Sequence, residues 1–148
     1  MASSEETDLT VETLPVITPA SQLRRNMNPG ELVTAFCAEW KLGSTETIAS
    51  YFSEDAVYHN IPMEPIVGRS EILNFLEGFI SAFGGIEFTI HNQVADGTTV
   101  FNERTDRFHL GDKHVVLPVM GIFEVTDSKI VAWRDYFDLA PINQLLAG

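Results

Sequence analysis

Basic side chains and cysteines are scarce in this sequence, and it contains no long apolar run. Nine lysines and arginines stand against 21 aspartates and glutamates among 148 residues, so the formal net charge is −12. Nucleic acids and anionic membrane surfaces bind basic faces, and the sequence therefore predicts neither as a partner. The single cysteine, Cys37, cannot form a disulfide within the chain, which favours a reducing compartment such as the cytoplasm.

Signals for a membrane or for export are also missing. No apolar run approaches the roughly 18 residues that a transmembrane helix needs, so no membrane span is predicted. The N-terminal segment is rich in Ser, Thr and Glu and lacks the basic-then-apolar pattern of a signal peptide. Both observations add to the expectation of a cytoplasmic protein.

Motifs that bind cofactors or metals are not recognisable either. The sequence has no glycine-rich phosphate loop, no dinucleotide-binding fingerprint and no Gly-x-Ser-x-Gly nucleophile elbow. No two histidines have a metal-ligand spacing with a third ligand; the four histidines are His59, His91, His109 and His114. We therefore expect neither a cofactor nor a metal ion.

The sequence is instead rich in apolar and aromatic residues. Apolar residues make up 45% of it, and ten Phe, three Tyr and two Trp indicate a core that encloses large rings or a pocket. The length fits one domain. Residues 1–27 are polar with little periodicity and are interpreted as a mobile tail whose end can rest against the domain, which is predicted over residues 28–148.

Helical spacing comes first within this domain. Asn28-Pro29 is typical of a helix start, apolar residues then recur at helical spacing as far as Trp40, and Gly43 ends the helix. A short helix follows Gly43, and a longer helix follows Gly68. A short alternating strand is predicted between these two, over residues 56–60.

Four long strands joined by tight turns then fill most of the remaining chain. Pro118 lies inside the third of them and cannot donate to a strand ladder, so a bulge or a sheet edge is expected there. The predicted fold class is α+β. We expect a strongly curved, mixed but mainly antiparallel sheet, with N-terminal helices that close a deep apolar pocket with one mouth.

Side chains with acid/base chemistry fall on the predicted strands. Arg104 and Asp106 are two apart on one strand, so they share a face, and Asp135 lies on the last strand. Tyr58 and Asn60 share a face of the first strand in the same way. Charged pairs at this spacing also occur as surface salt bridges, and the spacing alone does not exclude that interpretation.

Aromatic neighbours favour a buried cluster over a surface salt bridge. Phe108 shares the face of the first aspartate, and Trp133 and Phe137 flank the second. Buried carboxylates need a partner, and the planar fork of Arg104 can bridge two of them. Because two carboxylates against one guanidinium leave an uncompensated charge, one carboxyl is expected to keep its proton and to have a raised apparent pKa. The charge balance does not decide which one.

Such a cluster can act as a general acid and a general base without a metal or a covalent nucleophile. Tyr58, Asn60 and the ionised aspartate could hold one water between them. The structural alternative is a tyrosine half in the core and a turn-forming asparagine before Ile61-Pro62. Cys37 falls on the apolar stripe of the first helix, where core packing is favoured over nucleophilic catalysis.

Four segments, taken together in their order and spacing, resemble the limonene-1,2-epoxide hydrolase family. That family shares the cystatin-like α+β fold of nuclear transport factor 2 and steroid isomerase. The segments are Tyr51-Phe52-x-Glu54-Asp55-x-x-Tyr58-x-Asn60-x-Pro62, Glu103-Arg104-x-Asp106, Gly121-x-Phe123 and Lys129-Ile130-x-x-Trp133-Arg134-Asp135-Tyr136-Phe137-Asp138. The resemblance extends from about Asn28 to the C-terminus.

The resemblance implies a mechanism and a role for each residue. In that family, hydrolysis is a single metal-free step. Asp135 would deprotonate a water held by Tyr58 and Asn60, Asp106 would protonate the epoxide oxygen, and Arg104 would bridge the two aspartates. A homodimer and a deep apolar pocket are also implied, with a wall that includes Cys37, Trp40, Phe108, Leu117, Val119, Trp133 and Phe137.

The expected function is therefore the addition of water to a small apolar epoxide, cyclic and terpenoid ones included, to give a vicinal diol. A second hypothesis is an isomerase or cyclase on the same scaffold, in which an aspartate abstracts a carbon-bound proton. A third is a non-catalytic ligand-binding or dimerisation module, in which the Arg104 cluster is a structural ion pair.

Overall fold

The computed structural model describes residues 19–42 and 44–147, which form five helices around one sheet. The helices are α1 (Ala20–Arg25), α2 (Pro29–Leu42), α3 (Thr45–Ala49), α4 (Arg69–Phe83) and α5 (Ala140–Ala147). The strands are β1 (Phe52–Asn60), β2 (Ile66–Val67), β3 (Glu87–Asp96), β4 (Thr99–Leu110), β5 (Lys113–Thr126) and β6 (Lys129–Tyr136). Within the described ranges, no helix is long and apolar enough to cross a membrane.

Among the described residues, the first helix begins at Ala20, inside the segment that the sequence predicts as a mobile tail. Arg24 of α1 is buried, its guanidinium lies 3.8 Å above the Tyr51 ring, and its Nη1 donates to Ser50 Oγ at 2.8 Å. Composition did not predict this helix because the segment is polar, and one arginine on an aromatic ring holds it to the domain. Residues 1–18 of the predicted tail lie outside the described residues.

Helix α2 begins as its sequence predicts. Asn28 caps it, because Asn28 Oδ1 accepts the backbone N–H of Glu31 at 2.8 Å, and Glu31 Oε1 accepts that of Asn28 at 3.3 Å. The apolar stripe of the helix is fully buried, and the helix packs against β3. Gly43, which the sequence predicts as the helix stop, lies outside the described residues, directly after the last residue of α2.

The six-stranded sheet has the order β2-β1-β6-β5-β4-β3. All neighbouring pairs are antiparallel except β1 and β6, which are parallel, so the predicted mixed and mainly antiparallel sheet is confirmed. The register shifts in three pairings. One shift lies within β1, where it pairs with β6; the second lies in β3, between Ile90 and Asn92; the third lies in β5, between Glu124 and Val125. Such irregularities bend strands and let the sheet curve around the helices.

Pro118 occupies a local edge of the sheet. It pairs with Thr105 of β4 without a register shift, while the pairing of β5 with β6 begins only at Met120 and Tyr136. At this point β5 has a neighbouring strand, β4, on one side only. The N–H group that proline lacks is therefore not needed for pairing on the other side. Of the two alternatives that the sequence left open, the edge is confirmed and the bulge is not.

Aromatic packing fixes the core between α2 and the sheet. The ring of Phe36 on α2 has no solvent exposure and is surrounded by five other aromatic rings with centroids 5.1 to 6.0 Å away; they belong to Trp40, Tyr51, Phe52, Phe123 and Trp133. All five contacts are edge-to-face, a geometry that adds to the free energy of burial. The core therefore holds α2, β1, β5 and β6 in one fixed arrangement beneath the site.

Candidate active site

One arginine binds both aspartates that the sequence singled out. Arg104 Nε and Nη2 each donate to a different oxygen of Asp106 at 3.0 Å. Nη1 and Nη2 donate to the two oxygens of Asp135 at 3.2 and 2.7 Å. Nη1 also donates to Asn102 Oδ1 at 3.0 Å. All five N–H groups of the guanidinium are thus used, as a buried arginine requires.

A glycine makes this bridge possible. Gly121 on β5 is the direct neighbour of Asn102 on β4 and of Asp135 on β6, so the three stand in one row across the sheet. A Cβ atom at Gly121 would lie 2.8 Å from Asp135 Oδ1 and 3.0 Å from Asn102 Oδ1, and would overlap Arg104 Nη1. The guanidinium therefore crosses β5 through the space that a side chain would fill.

Asp135 is a deeply buried acceptor. Its side chain receives three N–H bonds, two from Arg104 and one from Trp133 Nε1 at 2.7 Å. Burial raises the pKa of Asp135 above its ordinary value, while the charge and hydrogen bonds of Arg104 and the hydrogen bond of Trp133 act in the opposite direction. Each N–H donor stabilises the ionised form of a carboxyl group. Three donors therefore favour the carboxylate of Asp135 more strongly than two would.

Asp106 has fewer hydrogen-bond donors than Asp135. It receives two N–H bonds, both from Arg104, and is 6% exposed. Burial raises the pKa of Asp106 to about 6, against the hydrogen bonds and charge of Arg104 and with a further increase from the charge of Asp135. Burial also disfavours the charge on Arg104, but both aspartates outweigh it and hold the pKa of the guanidinium well above its ordinary value. The cluster therefore has one permanent cation and two carboxyl groups whose pKa burial raises, that of Asp106 to about 6.

Tyr58 and Asn60 stand beside Asp135 because β1 and β6 run parallel. Asn60 pairs with Asp135 and Tyr58 with Trp133, and the Tyr58 and Trp133 rings stack with centroids 4.2 Å apart and planes 5° from parallel. The Tyr58 hydroxyl donates to Asn60 Oδ1 at 3.1 Å. Burial raises the pKa of Tyr58, so the hydroxyl stays protonated. The two polar groups are thus fixed against each other next to a carboxylate.

A cavity of about 70 Å³ opens above this cluster. Four of the polar residues line it directly, namely Tyr58, Asn60, Asp106 and Asp135. Arg104 is not among the lining residues and lies beneath them, 1% exposed. The arrangement thus presents two carboxyl groups, a hydroxyl and an amide to the cavity, while the cation that binds the carboxyls is covered.

The remaining wall is apolar, as the sequence predicts, but its membership differs in part. Five of the seven predicted wall residues line the cavity: Trp40, Phe108, Leu117, Val119 and Phe137. Cys37 and Trp133 do not. Trp133 is covered by the stacked Tyr58 ring, and Cys37 lies behind Asn102, with its Sγ 4.0 Å from Asn102 Nδ2. Both belong to the packed layer that supports the site.

Further lining residues come from elements that sequence reasoning did not connect with the pocket. They are Met63, Phe75, Phe79, Ile86, Phe88 and Ile142. The two phenylalanines on α4 belong to its apolar stripe, where pocket lining and core packing give the same helical spacing. The spacing therefore carried a signal for burial but none for the cavity.

The described part of the chain contains no group of three or more His, Cys, Asp or Glu residues that could hold a metal ion.

Comparison with known proteins shows the family to which this chain belongs. The limonene-1,2-epoxide hydrolase catalytic domain matches this chain over residues 28–147, which is most of its length. The chain belongs to the limonene-1,2-epoxide hydrolase family.

Individual relatives agree with this family. Epoxide hydrolase EphG of Mycobacterium tuberculosis is 36% identical over 110 residues, which cover 72% of this chain and 71% of that protein. A solved structure described as an M. tuberculosis LEH-like epoxide hydrolase is 34% identical, with a TM-score of 0.71 over 81% of this chain and 90% of that one. At the level of the family, the chain is thus an epoxide hydrolase.

The α+β fold extends beyond epoxide hydrolases. The structure of a putative SnoaL-like polyketide cyclase from Shewanella putrefaciens has a TM-score of 0.71 at 15% identity, over 91% of this chain and 97% of that one. At this identity the similarity concerns the fold alone. It confirms the predicted fold class, with a sheet that stays open at both edges.

Proposed function

We propose that this limonene-1,2-epoxide hydrolase family member adds water to a small apolar epoxide in one step and releases a vicinal diol. The observation that carries the proposal is the Arg104 bridge between two buried carboxyl groups, one with three N–H donors and one with two, beneath an apolar cavity. One carboxyl is suited to remove a proton and the other to donate one. Neither step needs a metal ion or a covalent enzyme intermediate.

Asp135 acts as the general base in this proposal. Its three N–H donors favour the carboxylate, and Asn60 lies directly beside it on the neighbouring strand. Because Asn60 Oδ1 accepts from Tyr58, its Nδ2 is the group left to donate to a water oxygen. A water held by this amide and the tyrosine oxygen would pass a proton to Asp135 as its oxygen attacks an epoxide carbon.

Asp106 acts as the general acid. Its pKa of about 6 leaves part of the population protonated near neutral pH, and its carboxyl lines the cavity. The epoxide C–O bond breaks as the oxygen takes the Asp106 proton, and the water supplies the hydroxyl group of the neighbouring carbon. After turnover Asp135 holds a proton and Asp106 does not, so one proton must return between them or through solvent before the next cycle.

The size and the apolar wall of the cavity support a small, apolar substrate. The cavity volume of about 70 Å³ is well below the ~300–1,000 Å³ of typical ligand pockets. Cyclic and terpenoid epoxides would require side chains to move, and Met63, 41% exposed, is a lining residue with the freedom to do so. We also propose a homodimer, which the family resemblance implies, and a cytoplasmic location, which the single cysteine favours.

Isotope labelling tests the reaction. Conversion of an epoxide panel in oxygen-18 water, with a chelator present, should place one labelled oxygen in each diol. An isomerase or a cyclase would leave the label out of its product. Asp135→Asn should lower kcat by about 10²–10⁴-fold with the fold intact, because the general base is lost. Turnover of this variant at the wild-type rate would disprove the assignment.

A further inference from the structure

Asn102 completes the hydrogen bonding of the arginine. Its side chain lies on the same face of β4 as Arg104, is 1% exposed, and its Oδ1 accepts from Nη1 at 3.0 Å. The other four N–H bonds of the guanidinium go to the carboxyl groups of Asp106 and Asp135. Asn102 therefore takes the one N–H group that the two acids do not.

A line of amides ties Asn102 to helix α2. Asn102 Nδ2 donates to Gln93 Oε1 at 3.2 Å, and Gln93 Nε2 donates to the Gly30 carbonyl at 3.1 Å and to Thr34 Oγ1 at 3.0 Å. The direction of this line is fixed at both ends, because a guanidinium only donates and a carbonyl only accepts. Each amide consequently has one orientation that satisfies its neighbours, with the Asn102 oxygen towards Arg104.

We propose that Asn102 is a positioning residue that keeps the guanidinium of Arg104 turned so that one fork serves both carboxyl groups. The inference rests on the proposed function, in which those two groups are the acid and the base. Without the Asn102 oxygen, one buried N–H of Nη1 has no acceptor. The guanidinium is then free to turn onto Asp106 alone and to loosen its contact with Asp135.

Such a turn would be visible in the titration of Asp135. The titratable side chains that face it are Arg104 and Asp106 on β4, Tyr58 on β1 and Cys37 on α2. Burial raises the pKa of Tyr58, and it raises the pKa of Cys37 to about 12, so both stay neutral around pH 7. Arg104 is thus the cation that stabilises the Asp135 carboxylate, and its withdrawal should raise the pKa of Asp135.

Asn102→Leu tests the proposal because leucine has a similar shape and no acceptor. We expect kcat for epoxide hydrolysis to fall by about 10–100-fold with little change in KM, as for other losses of supporting contacts around a site. The acid limb of the kcat/KM profile should move to higher pH. Asn92→Leu is the matched control on β3, since Asn92 is exposed and, within the described residues, donates only to Glu103. Neither kcat nor the acid limb should change in this variant.

A measurement without turnover separates this proposal from the proposed function. In carbon-13 NMR titrations of the carboxyl groups without substrate, Asn102→Leu should raise the pKa of Asp135, whatever reaction the protein catalyses. If Asn102→Leu does not fold, Gln93→Leu at a half-exposed position replaces it, with a smaller shift in the same direction. An unchanged Asp135 titration in the folded variant would overturn the positioning role. A wild type that forms no diol would instead refute the proposed function.

Discussion

Trp133 donates its indole N–H to Asp135 at 2.7 Å from two positions earlier on the same strand. Side chains two apart on a strand share a face, so the contact needs no help from the rest of the fold beyond the packing that fixes the ring. Tyr58 provides that packing through a parallel stack at 4.2 Å. The proposed base therefore has a donor that the stacked Tyr58 ring holds in place.

Replacement of Trp133 by Phe should raise the pKa of Asp135 and move the acid limb of kcat/KM to higher pH, because a hydrogen bond to the carboxylate is lost. Trp40→Phe is the matched control. Its Nε1 has no hydrogen-bond partner, so the same change there should leave this limb in place even if KM changes with the pocket. Equal shifts in both variants would contradict the role of the Trp133 N–H.

A methyl group at Gly121 should displace the guanidinium. Gly121→Ala would place a Cβ among Arg104, Asp135 and Asn102, and we expect a loss of about 1–3 kcal/mol in the free energy of unfolding together with a large loss of kcat. Gly78→Ala on α4 is the control, because a Cβ there meets no atom within 4 Å. It should be neutral or should stabilise by up to about 1 kcal/mol. Chemical denaturation and diol assays measure both effects.

The rate of hydrolysis should fall as pH rises through about 6. The proposed acid, Asp106, has its pKa raised to about 6, so the form that can donate a proton is lost above that value. Because the two aspartates titrate as a pair, the profile of kcat/KM reports apparent values of the pair. Asp106→Asn should remove this alkaline limb along with most of the activity, and a limb that survives in this variant would point to another acid.

Stability should decrease as pH rises from about 4 to about 6. Asp106 has a higher pKa when folded than its ordinary value of 3.8, so the folded state binds its proton more tightly. Its contribution is therefore fully present below about pH 4 and is lost as pH rises to about 6, by an amount on the order of 1–3 kcal/mol. Asp106→Asn should flatten this dependence in denaturation curves recorded across that range. An equally steep dependence in the variant would assign it to other groups.

The alternation of side chains along a strand carries more information about the site than the sequence motifs do. Arg104 and Asp106 share a face by spacing, and the structure joins them with two hydrogen bonds. The same alternation adds Asn102, two positions before Arg104, which was overlooked because an asparagine on a strand carries no charge to balance. The partnership with Asp135 could not follow from local spacing, since it depends on the register of β4, β5 and β6. The aromatic neighbours and the charge balance suggested that partner, and the family resemblance implied the same bridge.

The pocket was less predictable than the polar cluster. Phe75 and Phe79 could have been assigned to the core or to a cavity, because burial gives both the same helical period. Cys37 and Trp133 were assigned to the wall from matching segments, yet each lies one layer behind it. Volume left unfilled between packed side chains depends on their sizes and angles together, and no single position in the sequence records it.

The parallel pairing of β1 with β6 joins the early part of the chain to its last strand. Asn60 meets Asp135 only through this pairing, and the contact spans more than half of the polypeptide. During synthesis Tyr58 and Asn60, the proposed water-holding pair, therefore remain without the proposed base until β6 has left the ribosome. Any fragment that stops before Lys129 should consequently be inert, because it carries Tyr58 and Asn60 without Asp135.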